Sequence, residues 1–375
     1  MPGIYIHIPF CKQACNYCDF HFSTSLQNKS ALVSSIINEI EIRKNYLQNK
    51  NIQTIYFGGG TPSLLNDLEL NKILEKIYKT YNVSNDAEIT LECNPDDLTS
   101  DKLKELKRAE INRLSIGLQS FNNDELIWMN RAHTAQESES SVKRAQDKGF
   151  ENITIDLIYG SKFCNLTNWK STLNKAIELN VQHISSYNLT IEIKTKLGHD
   201  YKLHKENAID DEQSADLFLE MVDRLESNQF IQYEISNFGK EGFFSKHNSN
   251  YWKGEHYIGV GPSAHSFDGK TRQWNFANNN SYIKQVGENK NEFFEIETLT
   301  ETERFNDYVL TTLRTIWGAD IEFIKNNFNT EITAEFLKQV TKYISNESML
   351  LKNNCYILTN KGKLMADKIA SELFA

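Results

Sequence analysis

The chain has 375 residues, 39% hydrophobic and 24% charged, globular proportions that allow one large domain with a smaller companion. A net charge of -9 excludes a nonspecific nucleic-acid binder, which needs a basic face, and no run of about 18 apolar residues suggests a membrane span. Six cysteines in a chain of this size do not read as a disulfide framework, because three crowd near the N-terminus while Cys93, Cys164 and Cys355 stand alone. The first residues enter a strand pattern without the charged and apolar regions of an export signal, so a cytoplasmic setting is expected, with peripheral membrane contact left open.

In chain order, strand patterns fall at 4–10, 51–57, 87–92, 111–118, 152–160 and 183–192, and each of the first five precedes an amphipathic segment of helical length. The clearest helices are 32–47 and 99–109, with Thr99 or Ser100 placed to cap the second. This rhythm predicts parallel βα units. With six units rather than the usual eight, a barrel would be incomplete, and an open doubly wound sheet is the structural alternative. The position of the unusual residues favours the barrel. The cysteines follow the first strand, "GGGTP" the second, "LECNP" closes the third, "GLQSF" the fourth and "DLIYG" the fifth. In parallel βα folds these C-terminal strand ends face one mouth, where ligands bind.

The stretch "CKQACNYC" places Cys11, Cys15 and Cys18 within eight positions. Three thiolates can ligate three irons of a [4Fe–4S] cubane and leave the fourth open to a ligand. A structural zinc site would need a fourth donor such as His7 or His21.

This C-x3-C-x2-C pattern resembles the signature of the radical S-adenosylmethionine (SAM) superfamily. "YIHIPFC", "GGGTP", "LECNP", "GLQSF", "NRAH" and "DLIYG" occur in the order of the oxygen-independent coproporphyrinogen III oxidase family. "QYEISNFGKEGFFSKHNSNYW" and "GVGPSAHSF" are similar to its HemW branch, the haem chaperones. The resemblance implies an incomplete (β/α)6-type, TIM-like barrel and a [4Fe–4S] cluster held by Cys11, Cys15 and Cys18. It also implies a SAM site at Tyr5, Tyr17, Gly59, Gly60, Thr61, Glu92, Gln119, Arg131 and Asp156. The "HNSNYW" motif implies haem as cargo, with His247 as axial ligand and Tyr251 and Trp252 against the macrocycle; His7, His133 and His265 are other imidazoles that could take the iron. The oxidases carry a further cysteine two positions after the third, and here that position is Phe20, so coproporphyrinogen III oxidase activity is the alternative rather than the expectation. Where the family shows "IYGLP", this chain has Ser161 and Lys162, which predicts a less rigid loop.

Beyond residue 300 the pattern changes. A helix ends near Gly318, and "MLLKNNCYIL" predicts two short strands around an Asn-Asn turn, similar to a small winged-helix module. With nine Lys or Arg against ten Asp or Glu from 301 onward, no basic face for DNA is expected. The expected organisation is 1–240 as the radical SAM partial barrel, 241–300 as the haem-motif segment and an exposed asparagine-rich connector, and 301–375 as the winged-helix-like domain. The expected partners are haem, a haem-accepting protein of respiratory type, and an electron donor for the cluster.

Overall fold

A computed structural model describes residues 2–206, 210–288 and 293–375. The six expected strands form at Gly3–Ile8 (β1), Asn51–Gly59 (β2), Asn82–Cys93 (β3), Arg113–Gln119 (β4), Asn152–Tyr159 (β5) and His183–Asn188 (β6), parallel and adjacent in chain order. Helices Lys29–Ile42, Asp67–Thr80, Ser100–Arg108, Ala135–Asp147 and Leu166–Glu178 make the crossovers. The strands alternate: Ile4, Ile6 and Ile8 of β1 and Leu114, Ile116 and Leu118 of β4 enter the apolar core, while polar His7, Arg113 and Ser115 beside them are buried as well. At the expected cap, Thr99 Oγ1 accepts from Lys102 N at 3.2 Å.

The sheet is open. Beyond β6 it continues through the antiparallel hairpin Ile231–Glu234 (β7) and Asn237–Gly239 (β8). Beyond β1 it adds Tyr257–Val260 (β9), parallel to β1, and then the antiparallel strands His265–Phe267 (β10), Thr271–Asn275 (β11) and Phe294–Thr298 (β12). The parallel run thus holds seven strands instead of six, with β9 closing over the N-terminal edge.

The asparagine-rich stretch is expected as an exposed connector with local structure; residues 289–292 lie outside the described residues, and the rest is not exposed throughout. Its helix Asn279–Gly287 packs on helix Lys29–Ile42, and Tyr282, Val286 and Phe293 are fully buried in the main core. Tyr282 Oη donates to the buried Glu39 at 2.6 Å.

Residues from Phe305 to Leu373 build a second apolar cluster, in which Phe305 meets Phe328 and Phe336 edge-on at 5.2 and 5.7 Å. The hairpin Met349–Lys352 and Cys355–Leu358 turns through Asn353 and Asn354, both at positive φ, as the Asn-Asn turn predicts. Arg314 ties this segment to the sheet, pairing with Glu234 at 3.2 Å while its carbonyl accepts from Ile235 N at 3.1 Å. Among the described residues no helix is long and apolar enough to cross a membrane.

Candidate functional site

The loop after β1 carries Cys11, Cys15 and Cys18, all free thiols and partly exposed. Hydrogen bonds hold it from two sides. Asn16 N donates to Met129 O at 3.0 Å and Gln13 Nε2 to Asn130 O at 2.8 Å, while Asn16 O accepts from Leu197 N at 2.8 Å. The "NRAH" segment is therefore a platform for the cysteine loop. Arg131, within it, joins three strand ends: Nη1 donates to Cys15 Sγ at 3.4 Å, and Nη2 donates to Asn94 Oδ1 and Gly117 O, both at 2.8 Å. Its buried Nε has no partner. Thr61 Oγ1 donates to Cys11 Sγ at 3.5 Å, and Tyr17 stands against Cys15 and Arg131.

Burial raises the Cys11 thiol and pushes Cys18 up to about 11, so both hold their protons until a metal displaces them. Three free thiols with donors aimed at their sulfurs fit a three-ligand cluster. Among the described residues no three His, Cys, Asp or Glu side chains stand close enough to hold one metal ion. The candidate fourth zinc donors are engaged elsewhere. His7 is hydrogen-bonded to Tyr5 Oη at 3.2 Å and His21 O at 3.0 Å, and His21 to Asn279 Oδ1 at 2.8 Å.

The glycines at the C-terminal end of β2 are required by packing. A Cβ on Gly59, whose φ is +105°, would lie 2.5 Å from the His7 ring, and one on Gly60 would lie 2.7 Å from Phe10 O. Gly59 N also donates to Glu92 Oε2 at 3.1 Å, while Tyr56 Oη donates to Glu92 Oε1 at 2.8 Å. Tyr5 stacks on Tyr56 at 6.0 Å. Burial, then the neighbouring Asp156, push Glu92 up to about 7 against the pull of these donors. Asp156, accepting from Ser115 Oγ at 3.1 Å, is raised by burial to about 6. Gln119 sits at φ +65° where a bulge shifts the β4–β5 register. The predicted residues thus form a thiol group around Arg131 and a carboxylate group around Glu92 and Asp156. Sequence reasoning missed Asn94, Tyr56 and Ser115 as partners, although Asn94 lies inside the "LECNP" motif.

The variant loop is tied to its surroundings by side-chain bonds. Buried Ser161 donates to Glu125 and accepts from Phe163 N at 3.2 Å, while Lys162 pairs with Glu206 at 2.7 Å.

The "HNSNYW" motif forms the short helix Lys246–Trp252, whose first N–H groups reach Glu88: Lys246 N and His247 N each donate at 3.0 Å. His247 is almost completely buried, with Nδ1 against Thr54 Oγ1 at 2.8 Å and Nε2 against Tyr251 Oη at 2.7 Å. Its ring stacks on Tyr56 at 4.9 Å, and burial lowers its pKa to about 3. An iron at Nε2 would have to displace Tyr251 Oη. Tyr251 and Trp252 line a cavity of about 830 Å³ that Tyr5, His7, Phe20 and His265 also border. Burial, then Arg272, lower the pKa of His265. His133 lies away from this cavity, buried against Leu118 O at 3.0 Å.

Comparison with known proteins gives consistent results. The Radical SAM superfamily description matches residues 5–176. The curated Heme chaperone HemW of Bacillus subtilis (strain 168) is 33% identical over 376 residues, covering 98% of each chain. The Heme chaperone HemW of Escherichia coli (strain K12) is 37% identical over 266 residues, 70% of this chain and 69% of that one. Among solved structures, the Escherichia coli coproporphyrinogen III oxidase HemN, a Radical SAM enzyme, superposes with a TM-score of 0.85 over 100% of this chain and 90% of that one. At 22% identity that likeness establishes the fold alone. By the relatives it matches along its length, this chain belongs to the HemW family of the Radical SAM superfamily.

Proposed function

We propose that this protein is a haem chaperone, which binds haem beside a SAM-coordinated [4Fe–4S] cluster and passes it to an acceptor protein. The observation that supports it most is the cavity of about 830 Å³, where the cysteine loop, the "HNSNYW" helix and the C-terminal segment meet around aromatic side chains and imidazoles. A porphyrin is a flat apolar disc with a metal at its centre, and such walls suit it. The relatives named heme chaperones support the same role.

In this reading Cys11, Cys15 and Cys18 ligate the cluster, which when bound with SAM supplies one-electron chemistry from an external electron donor. Arg131 orients Cys15 and keeps the free Nε for an anionic group such as the SAM carboxylate. Glu92 and Asp156 receive the ammonium and ribose, with Tyr56 and Ser115 holding each carboxylate in place. Tyr5, Tyr17, Gly59, Gly60, Thr61 and Gln119 shape the rest of that site. His247, Tyr251 and Trp252 brace the cavity wall, Tyr251 and Trp252 directly and His247 through its bond to Tyr251.

Residues 1–240 act as the radical SAM partial barrel, 241–300 as the haem-motif segment and 301–375 as a winged-helix-like docking domain. The setting is cytoplasmic and the acceptor a respiratory protein. Phe20, in place of the oxidases' additional cysteine, turns a 66% exposed aromatic face toward the cavity. Anaerobically reconstituted protein should therefore bind haem with a Soret band and release no protoporphyrinogen from coproporphyrinogen III. Reproducible decarboxylation with SAM consumption would overturn the chaperone reading.

A further inference from the structure

The same cavity carries a set of groups outside the haem motif. It opens between the β10–β11 hairpin, the cysteine loop and the helices Glu301–Leu313 and Ile321–Asn327. His265 stands on β10 opposite Trp274 on β11, and the two rings stack at 6.2 Å and 28°. Its ring is exposed to the cavity and makes no hydrogen bond among the described residues, whereas the rings of His7, His21 and His247 are all hydrogen-bonded. An imidazole held by stacking, with a nitrogen free, is prepared to accept a metal without breaking a bond.

Two guanidinium groups border the same space. Arg272 projects from β11 and pairs with Asp307. Arg304 lies on the helix face that also presents Tyr308 and Thr311, the four- and seven-residue spacing of one helical stripe. Asp19 and Asp307 are the carboxylates facing the cavity, and Asp307 is neutralised by Arg272. Apolar walls, a free imidazole and two guanidinium groups, that of Arg272 shared with Asp307, match a metalloporphyrin bearing two carboxylates on one edge.

We infer that His265 supplies the axial ligand to the haem iron in this cavity, with Arg272 and Arg304 receiving the propionates. The inference rests on the haem-chaperone reading and assigns the ligand to a residue outside "HNSNYW". His247, sealed behind Tyr5 and Tyr56 with both nitrogens bonded, positions Tyr251 in the wall.

The test titrates cluster-reconstituted, full-length protein with haemin and with haemin dimethyl ester under anaerobic conditions. Wild type should give an imidazole-ligated Soret band. His265→Ala should lose that band and bind at least about tenfold more weakly, and His265→Met should shift it, since thioether replaces imidazole on the iron. The double variant Arg272→Ala with Arg304→Ala should bind haemin about tenfold or more weakly, as lost charge-assisted hydrogen bonds require, and bind the ester as wild type does. His247→Gln should keep the band position. Retention of the wild-type band and affinity in His265→Ala, or loss of the band in His247→Gln alone, would overturn the assignment and leave the chaperone reading standing. Failure of wild type to bind haemin at all would overturn that reading, and the assignment with it.

Discussion

Replacing Glu92 with Gln tests whether the site at the C-terminal ends of the parallel strands is built around a carboxylate held neutral until its ligand arrives. Glu92 is buried, receives Tyr56 Oη at 2.8 Å and Gly59 N at 3.1 Å, and has its pKa pushed up from 4.5 to about 7 by burial. Because the folded value lies above the unfolded one, the contribution is fully present below about pH 4.5 and is lost as pH rises through about 7. At about 1.4 kcal/mol per pH unit the gap amounts to roughly 3 kcal/mol, most of it given up between pH 5 and pH 8. Urea unfolding of the reduced, metal-free protein should show wild type losing about 2 to 3 kcal/mol more than Glu92→Gln over that interval. The variant should carry an almost pH-independent cost of about 1 kcal/mol, since an amide oxygen and nitrogen cannot both accept from the two donors. The variant should also bind SAM more weakly at pH 8, where wild type offers an ionised partner to the ammonium. Parallel pH profiles for the two proteins would refute the reasoning.

Cys11→Ala, Cys15→Ala and Cys18→Ala should each abolish the bound iron, about four per chain in wild type, while Cys93→Ala, Cys164→Ala and Cys355→Ala keep it, as iron and sulfide analysis would show. Saturating SAM should alter the electron paramagnetic resonance spectrum of the reduced cluster, and Arg131→Lys, which keeps the charge but not the three-way tie, should weaken that response. Ser161→Ala should lower stability by about 1 to 3 kcal/mol in denaturant unfolding, because it takes a donor from buried Glu125; a negligible change would mean that the loop is not held there.

The strands β1 to β6 and the thiol group were legible because their signals are local. Apolar residues at every second position mark the strands, as Ile4, Ile6 and Ile8 or Leu114, Ile116 and Leu118 do, and the cysteines sit within one loop. The opposite edge was not legible. β9 to β12 are three to five residues long, with Gly259 inside β9 and Ser266 inside β10, too short for any period to register. Composition misled at Asn279–Gly287, where asparagines on the outer face conceal the buried Tyr282 and Val286. The tie of Ser161 was not legible either, because its partner Glu125 lies 36 positions away. His265, Arg272 and Arg304 meet Phe20 only through tertiary folding, and no spacing rule reaches that far.

The central claim, that this protein hands on haem rather than transforming a porphyrin, is tested most directly by transfer kinetics. Haem-loaded, cluster-reconstituted protein would be mixed with a haem-free respiratory haem protein and the movement of the Soret band followed in time. A chaperone passes its cargo through direct contact, so the transfer rate should rise with acceptor concentration and exceed spontaneous haem loss. A rate independent of acceptor and equal to passive dissociation would contradict the account.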